Sequence, residues 1–422
     1  DAHAASSVCT PSRYALLTGR YCWRTPLQRG VLWPWDGPLI RPGELTLASF
    51  LKAQGYHTHC VGKWHLGWEW HTRDGAPARN EFRAGEPDFE RRQAFADRID
   101  YARPLRGGPV DCGFDTYFGV DVPNFPPYTW FEQDRLADPP TVPKPDSIMG
   151  LRGPMKPGWR HEDMLPAFAE RCRRIISQAG SRPFFLFLAL TSPHTPIAPN
   201  EEFIGRSAAG RYGDFVCETD AVVGQILDAL AEKGLRENTL VVFASDNGPE
   251  SLPAAAGGCY RNAREYGHYS MGRLRGAKRD LWEGGHRIPL IVRWPGVTPS
   301  GSVCQRTVCL SDMLPTCADA LGAQLPPGAA EDAVSALPLM RGDPSAPDRP
   351  LLVHHSEAGL FGLRCGEWAF LDAPTGDDMG REPEWFRQER GYVADGLPGQ
   401  LFNLRDDIGE GRNRFGERED LV

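Results

Sequence analysis

Residues 183–196 read PFFLFLALTSPHTP, and their reading sets the architecture. From Phe184 to Leu190 the chain is apolar without a break, as expected for a strand covered on both faces. The run is far below the ~18 residues of a membrane span. It delivers a polar loop, SPHTP, that carries His194. The spacing predicts a helix before it, over residues 162–178, and a long one after it, over 214–233, with Phe215, Val222, Ile226, Leu227 and Leu230 on one side and Gly234 as its stop. The same pattern recurs. Residues 239–244 form a second buried strand ending in SDNG, 245–248, and residues 288–294 form a third after the glycine-rich EGG at 283–285. Earlier, a short helix over 46–54 stops at Gly55, and a strand over 56–61 leads into GKWHLG, 62–67.

Strands alternating with helices predict an α/β fold with a mostly parallel central sheet flanked by helices. Ligands of such sheets gather outside the carboxyl ends of the strands. Lys63, His65, His194 and Asp246 all fall just past strand ends, which nominates them for one site. Residues 68–106 read as a polar, irregular surface insertion, and 113–127 as a loop whose aromatic and polar residues can face a ligand. From about Pro338 the texture changes to short strands and polar loops. The chain is therefore divided into a catalytic α/β domain, 1–340, and a small C-terminal α+β subdomain, 341–422.

Composition narrows the function. A formal charge of −8 argues against a general nucleic-acid binder, and no apolar run is long enough to span a membrane. The 11 cysteines are scattered, with no CxxC pair. Cys304, Cys309 and Cys317 form the densest group, expected to be buried thiols or a disulfide rather than a zinc site.

Residues 7–20 read SVCTPSRYALLTGR. Ser12 reads as the N-cap of a helix that stops at Gly19, with Cys9 just before it. A group at a helix N-terminus meets unpaired N–H donors and the positive end of the macrodipole, a setting for anions and activated sulfur. Taken singly, the cysteine also fits a buried small apolar residue.

CTPSR followed by LLTGR resembles the signature of the type I sulfatases of the alkaline phosphatase superfamily. The K-x-H of GKWHLG, the SPHTP and SDNG loops, the run LRGAKRDLWEGGHRIP at 274–289 and the tail LFNLRDDIGEGRN at 401–413 match further family motifs in order. The resemblance implies hydrolysis of sulfate esters, of an aryl or carbohydrate substrate, with Cys9 oxidised to formylglycine (3-oxoalanine) by a formylglycine-generating or anaerobic sulfatase-maturating enzyme. It implies that Arg13 holds the hydrated aldehyde, that Lys63 bridges nucleophile and sulfate, and that His65 helps deprotonate the hydrate. It implies further that His194 contacts the sulfate and protonates the leaving oxygen, and that Lys278 binds the sulfate. Asp246, Asn247 and the modified Cys9 are implied as ligands of a calcium ion, whose hard character suits oxygen donors. Residence is implied in the periplasm or outside the cell. His268 is a further candidate to line the pocket, and Trp64, Trp68, Trp70 and Trp130 to stack on sugar rings.

The family's first strand carries two metal-binding carboxylates and lies upstream of the cysteine motif. Only eight residues precede Cys9, so that strand is missing here and the sequence is read as an N-terminally truncated fragment. Two rival readings are a phosphate-ester or phosphonate hydrolase of the same superfamily and a non-catalytic ligand-binding relative.

Overall fold

The apolar strand forms, and its neighbours explain where its loop points. In the computed structural model, which describes residues 1–75, 81–252 and 257–421, Phe184–Ala189 runs parallel to His57–Lys63, which pairs in parallel with Thr116–Val120. Gly62 lies opposite Ala189 and Lys63 opposite Val120, so all three strands end at one edge. Phe131–Glu132 and Arg135–Leu136 extend the sheet with antiparallel pairing. Helix Met164–Ser177 packs on all three parallel strands and on the long helix Gly210–Glu232. Helix Leu47–Ala53 begins where its sequence says it should. Thr46 caps it, its hydroxyl accepting from the Ser49 amide while Ser49 returns a bond to Thr46.

These elements belong to a compact unit made of Thr25–Leu27 and Leu32–Arg236. Glycine is required at its sheet edge. Gly62 has φ +110°, and a Cβ there would lie 2.0 Å from the Ala189 carbonyl oxygen. Only glycine permits that approach, at the position just before Lys63.

A second unit comprises Asp1–Arg24, Gln28–Val31 and Glu237–Val422. In it Val241–Ala244 pairs antiparallel with Leu290–Arg293, and Ala2–His3 runs parallel to Val308–Cys309. Leu352–His355, Phe361–Cys365, Trp368–Leu371 and Gln400–Asn403 form a four-stranded antiparallel sheet. Its inner residues Ala369, Leu371 and Phe402 bury Leu281 and Trp282. Helix Cys9–Thr18 packs on Leu310–Asp312 and Met313–Ala320.

The α/β alternation holds, but several local expectations do not. The Cys9 helix starts at Cys9 rather than after Ser12. Ser12 lies inside the first turn, its hydroxyl donating to the carbonyls of Ser6 and Val8 at 2.9 and 3.0 Å. Pro11 sits in that turn at no cost, because the first amides of a helix have no intrahelical acceptor. The strands read as fully covered are only partly so. Phe184 to Leu188 are half-buried, because their strand is the last of its sheet. In the two-stranded sheet Ile291 is 62% exposed. Residues 68–106 are not wholly irregular, since Phe89–Ala96 is a helix capped by Asp88. All eleven cysteines are free thiols, so no disulfide links Cys304, Cys309 and Cys317. No helix among the described residues is long and apolar enough to cross a membrane.

Candidate functional site

Cys9 is the first residue of its helix and is buried. Val8 precedes it in extended conformation and makes no side-chain cap, so the first-turn amides are left to other partners. Four residues on, Arg13 reaches across 233 positions of sequence. Its Nε and Nη2 both lie 2.9 Å from Asp246 Oδ2, a charge-assisted pair. Asp246 directly follows Ser245 at the end of Val241–Ala244. Asn247, next in sequence, donates through Nδ2 to the Gly248 carbonyl at 2.9 Å. Its Oδ1 is buried and has no hydrogen-bond partner among the described residues. A buried acceptor of this kind costs free energy unless a donor or cation meets it. With Arg13 on Oδ2, the other oxygen of Asp246 and the Asn247 amide oxygen are hard donors from successive residues, the donor type a calcium-like ion takes.

Lys278 is buried, with Nζ 3.4 Å from Glu250 Oε2. Glu250 also takes the Arg279 guanidinium, through a short bond from Nη1 and one of 3.2 Å from Nη2. Its Oε1 accepts from the amides of Ser251 and Leu252. The Arg279 amide donates to the Ser7 carbonyl at 3.0 Å, which ties this array to the cysteine motif. Burial opposes the charge on Arg279, but Glu250, Glu357 and Cys9 outweigh it and raise its pKa. Arg279 adopts a left-handed backbone, φ +87°, a conformation that costs a non-glycine residue about 1–3 kcal/mol. One unit thus brings together Cys9, Arg13, Asp246, Asn247 and Lys278. His268 is half-buried beyond the C-terminal end of helix Cys259–Tyr266.

The other unit collects its own candidates at the carboxyl edge of the parallel strands. Lys63 ends His57–Lys63 and is 1% exposed. His65 follows in left-handed conformation, φ +59°, and its amide donates to Asp121 Oδ1 at 3.2 Å. His65 Nε2 lies 2.9 Å from the Leu32 carbonyl oxygen. That oxygen can only accept, so Nε2 carries the proton and Nδ1 presents a lone pair. Asp121 follows Thr116–Val120. Burial raises its carboxyl pKa to about 6, against the pull of the Trp68 indole, the His65 amide and Lys63. His194 follows Phe184–Ala189, and its Nδ1 donates to the Thr195 carbonyl, so in the neutral ring Nε2 is the acceptor nitrogen.

Sequence reasoning missed Glu250, Arg279 and Asp121. Each had a signal of position: Glu250 lies four residues past Asp246, Arg279 adjoins Lys278, and Asp121 follows a strand. The tryptophans nominated for sugar stacking are otherwise engaged. Trp64, Trp68 and Trp70 are at most 2% exposed, and Trp68 stacks on Phe131 while Trp70 meets Trp35 edge-on. Trp130 stacks on Phe118 and packs on Trp159. The indoles bury large area in the core instead.

Comparison with known proteins places the chain in a family. The sulfatase family model matches residues 1–323. Arylsulfatase A of Bos taurus is 33% identical over 422 residues, covering 98% of this chain and 75% of the relative. The N-acetylgalactosamine-6-O-sulfatase of Bacteroides thetaiotaomicron is 29% identical, covering 100% and 83%. Among solved structures, a sulfatase described with glycosaminoglycan metabolism in Bacteroides thetaiotaomicron superposes with a TM-score of 0.80 at 24% identity, covering 100% of this chain and 88% of that one. At that identity the likeness concerns the fold, which is the alkaline phosphatase-like α/β fold. The matched length, the ordered motifs and the shared fold lead to one conclusion: the chain belongs to the sulfatase family of the alkaline phosphatase superfamily and is a sulfuric ester hydrolase.

Proposed function

We propose that the protein removes sulfate from a sulfated carbohydrate, using formylglycine made from Cys9 by a maturating enzyme and a calcium ion held by Asp246, Asn247 and the modified residue. The observation that carries this reading is the Arg13–Asp246 pair, which joins the cysteine motif to the carboxylate of the hard-donor pair. When present, the hydrated aldehyde supplies the nucleophilic oxygen, and the calcium ion supplies charge that draws electrons from the sulfuryl group.

The side chains of this chain do the rest. Arg13 holds Asp246 and offsets negative charge beside Cys9. Lys278, steadied by Glu250, presents an ammonium to the sulfuryl oxygens. In the motif roles, Lys63 adds a second ammonium. His65 accepts a proton at Nδ1, and His194, entering as the imidazolium, gives the Nε2 proton to the leaving oxygen. The carbohydrate class is supported by the N-acetylgalactosamine-6-O-sulfatase relative and by a fold neighbour at TM-score 0.67 solved with a neocarrahexaose.

The test begins with mass spectrometry of the peptide spanning Cys9, from protein made in its native host, where the aldehyde is expected in place of the thiol. Aryl sulfate and sulfated sugars are then offered beside aryl phosphate. Cys9→Ala is expected to abolish sulfate release with an unchanged melting curve. A thiol in active enzyme, turnover by Cys9→Ala, or faster cleavage of aryl phosphate would each overturn the proposal.

A further inference from the structure

The unit that carries Cys9 also buries a histidine cluster with no part in that chemistry. His3, His286 and His354 are 0%, 1% and 2% exposed. His286 Nε2 lies 3.1 Å from the Leu281 carbonyl oxygen. His3 Nε2 lies 3.1 Å from Asp1 Oδ1. A carbonyl and a carboxylate only accept, so in both neutral rings Nε2 holds the proton and Nδ1 holds a lone pair. Those two Nδ1 atoms face each other at 3.1 Å. Two lone pairs at that distance repel, and a positive centre belongs between them. Beside them stands Glu283, 1% exposed. Its Oε2 meets Arg287 at 3.2 Å, while its Oε1 is buried with no hydrogen-bond partner among the described residues. One ligand atom from each of His3, Glu283 and His286 lies within 4.8 Å of the others.

We propose that His3 Nδ1, His286 Nδ1 and a Glu283 carboxylate oxygen bind a first-row transition metal ion, zinc above all, at a three-ligand site separate from the sulfate-ester site. With Zn–N bonds of ~2.05 Å, the 3.1 Å separation of the two nitrogens corresponds to an angle of roughly 100° at the metal, near tetrahedral. The farthest ligand atom closes by at most roughly 1.5 Å to reach tetrahedral spacing. Two imidazoles and one carboxylate suit zinc rather than calcium. Both histidines already have the outer partners that orient metal-bound imidazoles, the Asp1 carboxylate and the Leu281 carbonyl. The Asp1 carboxylate is fixed in turn by Arg287 and Arg364 at 3.1 and 3.2 Å. His354 lies against His286 with 3.6 Å between ring centres and the ring planes tilted by 30°. The ion would join strand Ala2–His3 to helix Glu283–His286, segments that already exchange backbone bonds between Ala4 and His286 and between Ala2 and Ile288.

The competitor is a shared proton, which makes one ring an imidazolium. Burial works against it, lowering His3 to about 4 and His286 to about 3 even with Glu283 nearby. Neutral rings are the form a metal takes.

The experiment measures zinc and calcium separately by plasma mass spectrometry, on protein purified without chelator and equilibrated with micromolar zinc. About one zinc per chain is expected, and cobalt exchanged into the site is expected to give visible d–d absorption. His286→Gln is expected to lose at least about nine-tenths of the zinc and leave calcium unchanged. A folded wild-type protein with less than about a tenth of an equivalent of zinc and no cobalt absorption would overturn the site. So would full zinc content in a folded His286→Gln. Should that variant not fold, an anomalous difference map of wild-type crystals at the zinc edge decides: a peak touching both Nδ1 atoms supports the site, and a map without one refutes it.

Discussion

Glu250→Gln keeps the shape of a buried side chain and removes its charge. Glu250 is 7% exposed and stands between two cations, Lys278 at 3.4 Å and Arg279. At an effective dielectric of ~20, a unit pair at that Lys278 distance attracts by roughly 5 kcal/mol. Desolvation offsets part of this, and deleting one partner of a buried pair costs about 3–5 kcal/mol. Glu357 still faces Arg279, with Oε2 2.9 Å from Nε, so the deficit falls chiefly on Lys278. The variant is therefore expected to melt several degrees lower. It should also lose about 10–100-fold in kcat on aryl sulfate, because an ammonium displaced by ~1 Å no longer meets the developing charge. Inorganic sulfate is expected to bind the variant more tightly, since the array carries one more net positive charge. Thermal melting, steady-state kinetics and inhibition by sulfate are read on the same preparation. Wild-type melting together with wild-type kcat would refute the claim that Glu250 positions Lys278.

Lys278→Ala in the active enzyme is expected to cut kcat/KM for sulfate esters at least about 100-fold, and a normal rate would remove it from the site. Asp121→Asn probes the carboxyl whose pKa burial lifts to about 6. A raised acid pKa penalises the folded state above that pH and not below the unfolded value near 4. The amide variant should thus be more stable than wild type by about 1–3 kcal/mol at pH 7.5, with the gain fading between pH 6 and 4. A gain that is flat across this range would contradict the burial argument. Arg275 pairs bidentately with Glu382 at 2.9 Å and lies between Trp282 and Tyr392. Arg275→Met should cost about 3–5 kcal/mol, much of it recovered when Glu382 is also made apolar. Denaturant titration of both variants checks this.

Much of the site was legible in one dimension because its chemistry is carried by short, ordered motifs. Cys9 and Arg13 sit one helical turn apart, so their joint presence constrains a single helix. Lys63 and His194 follow strands whose parallel pairing is implied by the helices between them. The α/β alternation was legible for the same reason, since periodicity and glycine stops are local properties. The start of the Cys9 helix was misread because serine is a favoured N-cap residue, whereas the Ser12 hydroxyl donates to the Ser6 and Val8 carbonyls from inside the helix.

What the sequence by itself determined is the order of elements, the family and the residues placed at strand and helix ends. What only the tertiary structure decided is which distant groups meet. Arg13 finds Asp246 across 233 positions, Glu250 neutralises Lys278 and Arg279, and His3 faces His286. Charge partners and ligand sets depend on distances of a few ångströms between segments tens to hundreds of residues apart. Local propensity carries no record of such distances, because burial and packing set them only once the chain has closed on itself.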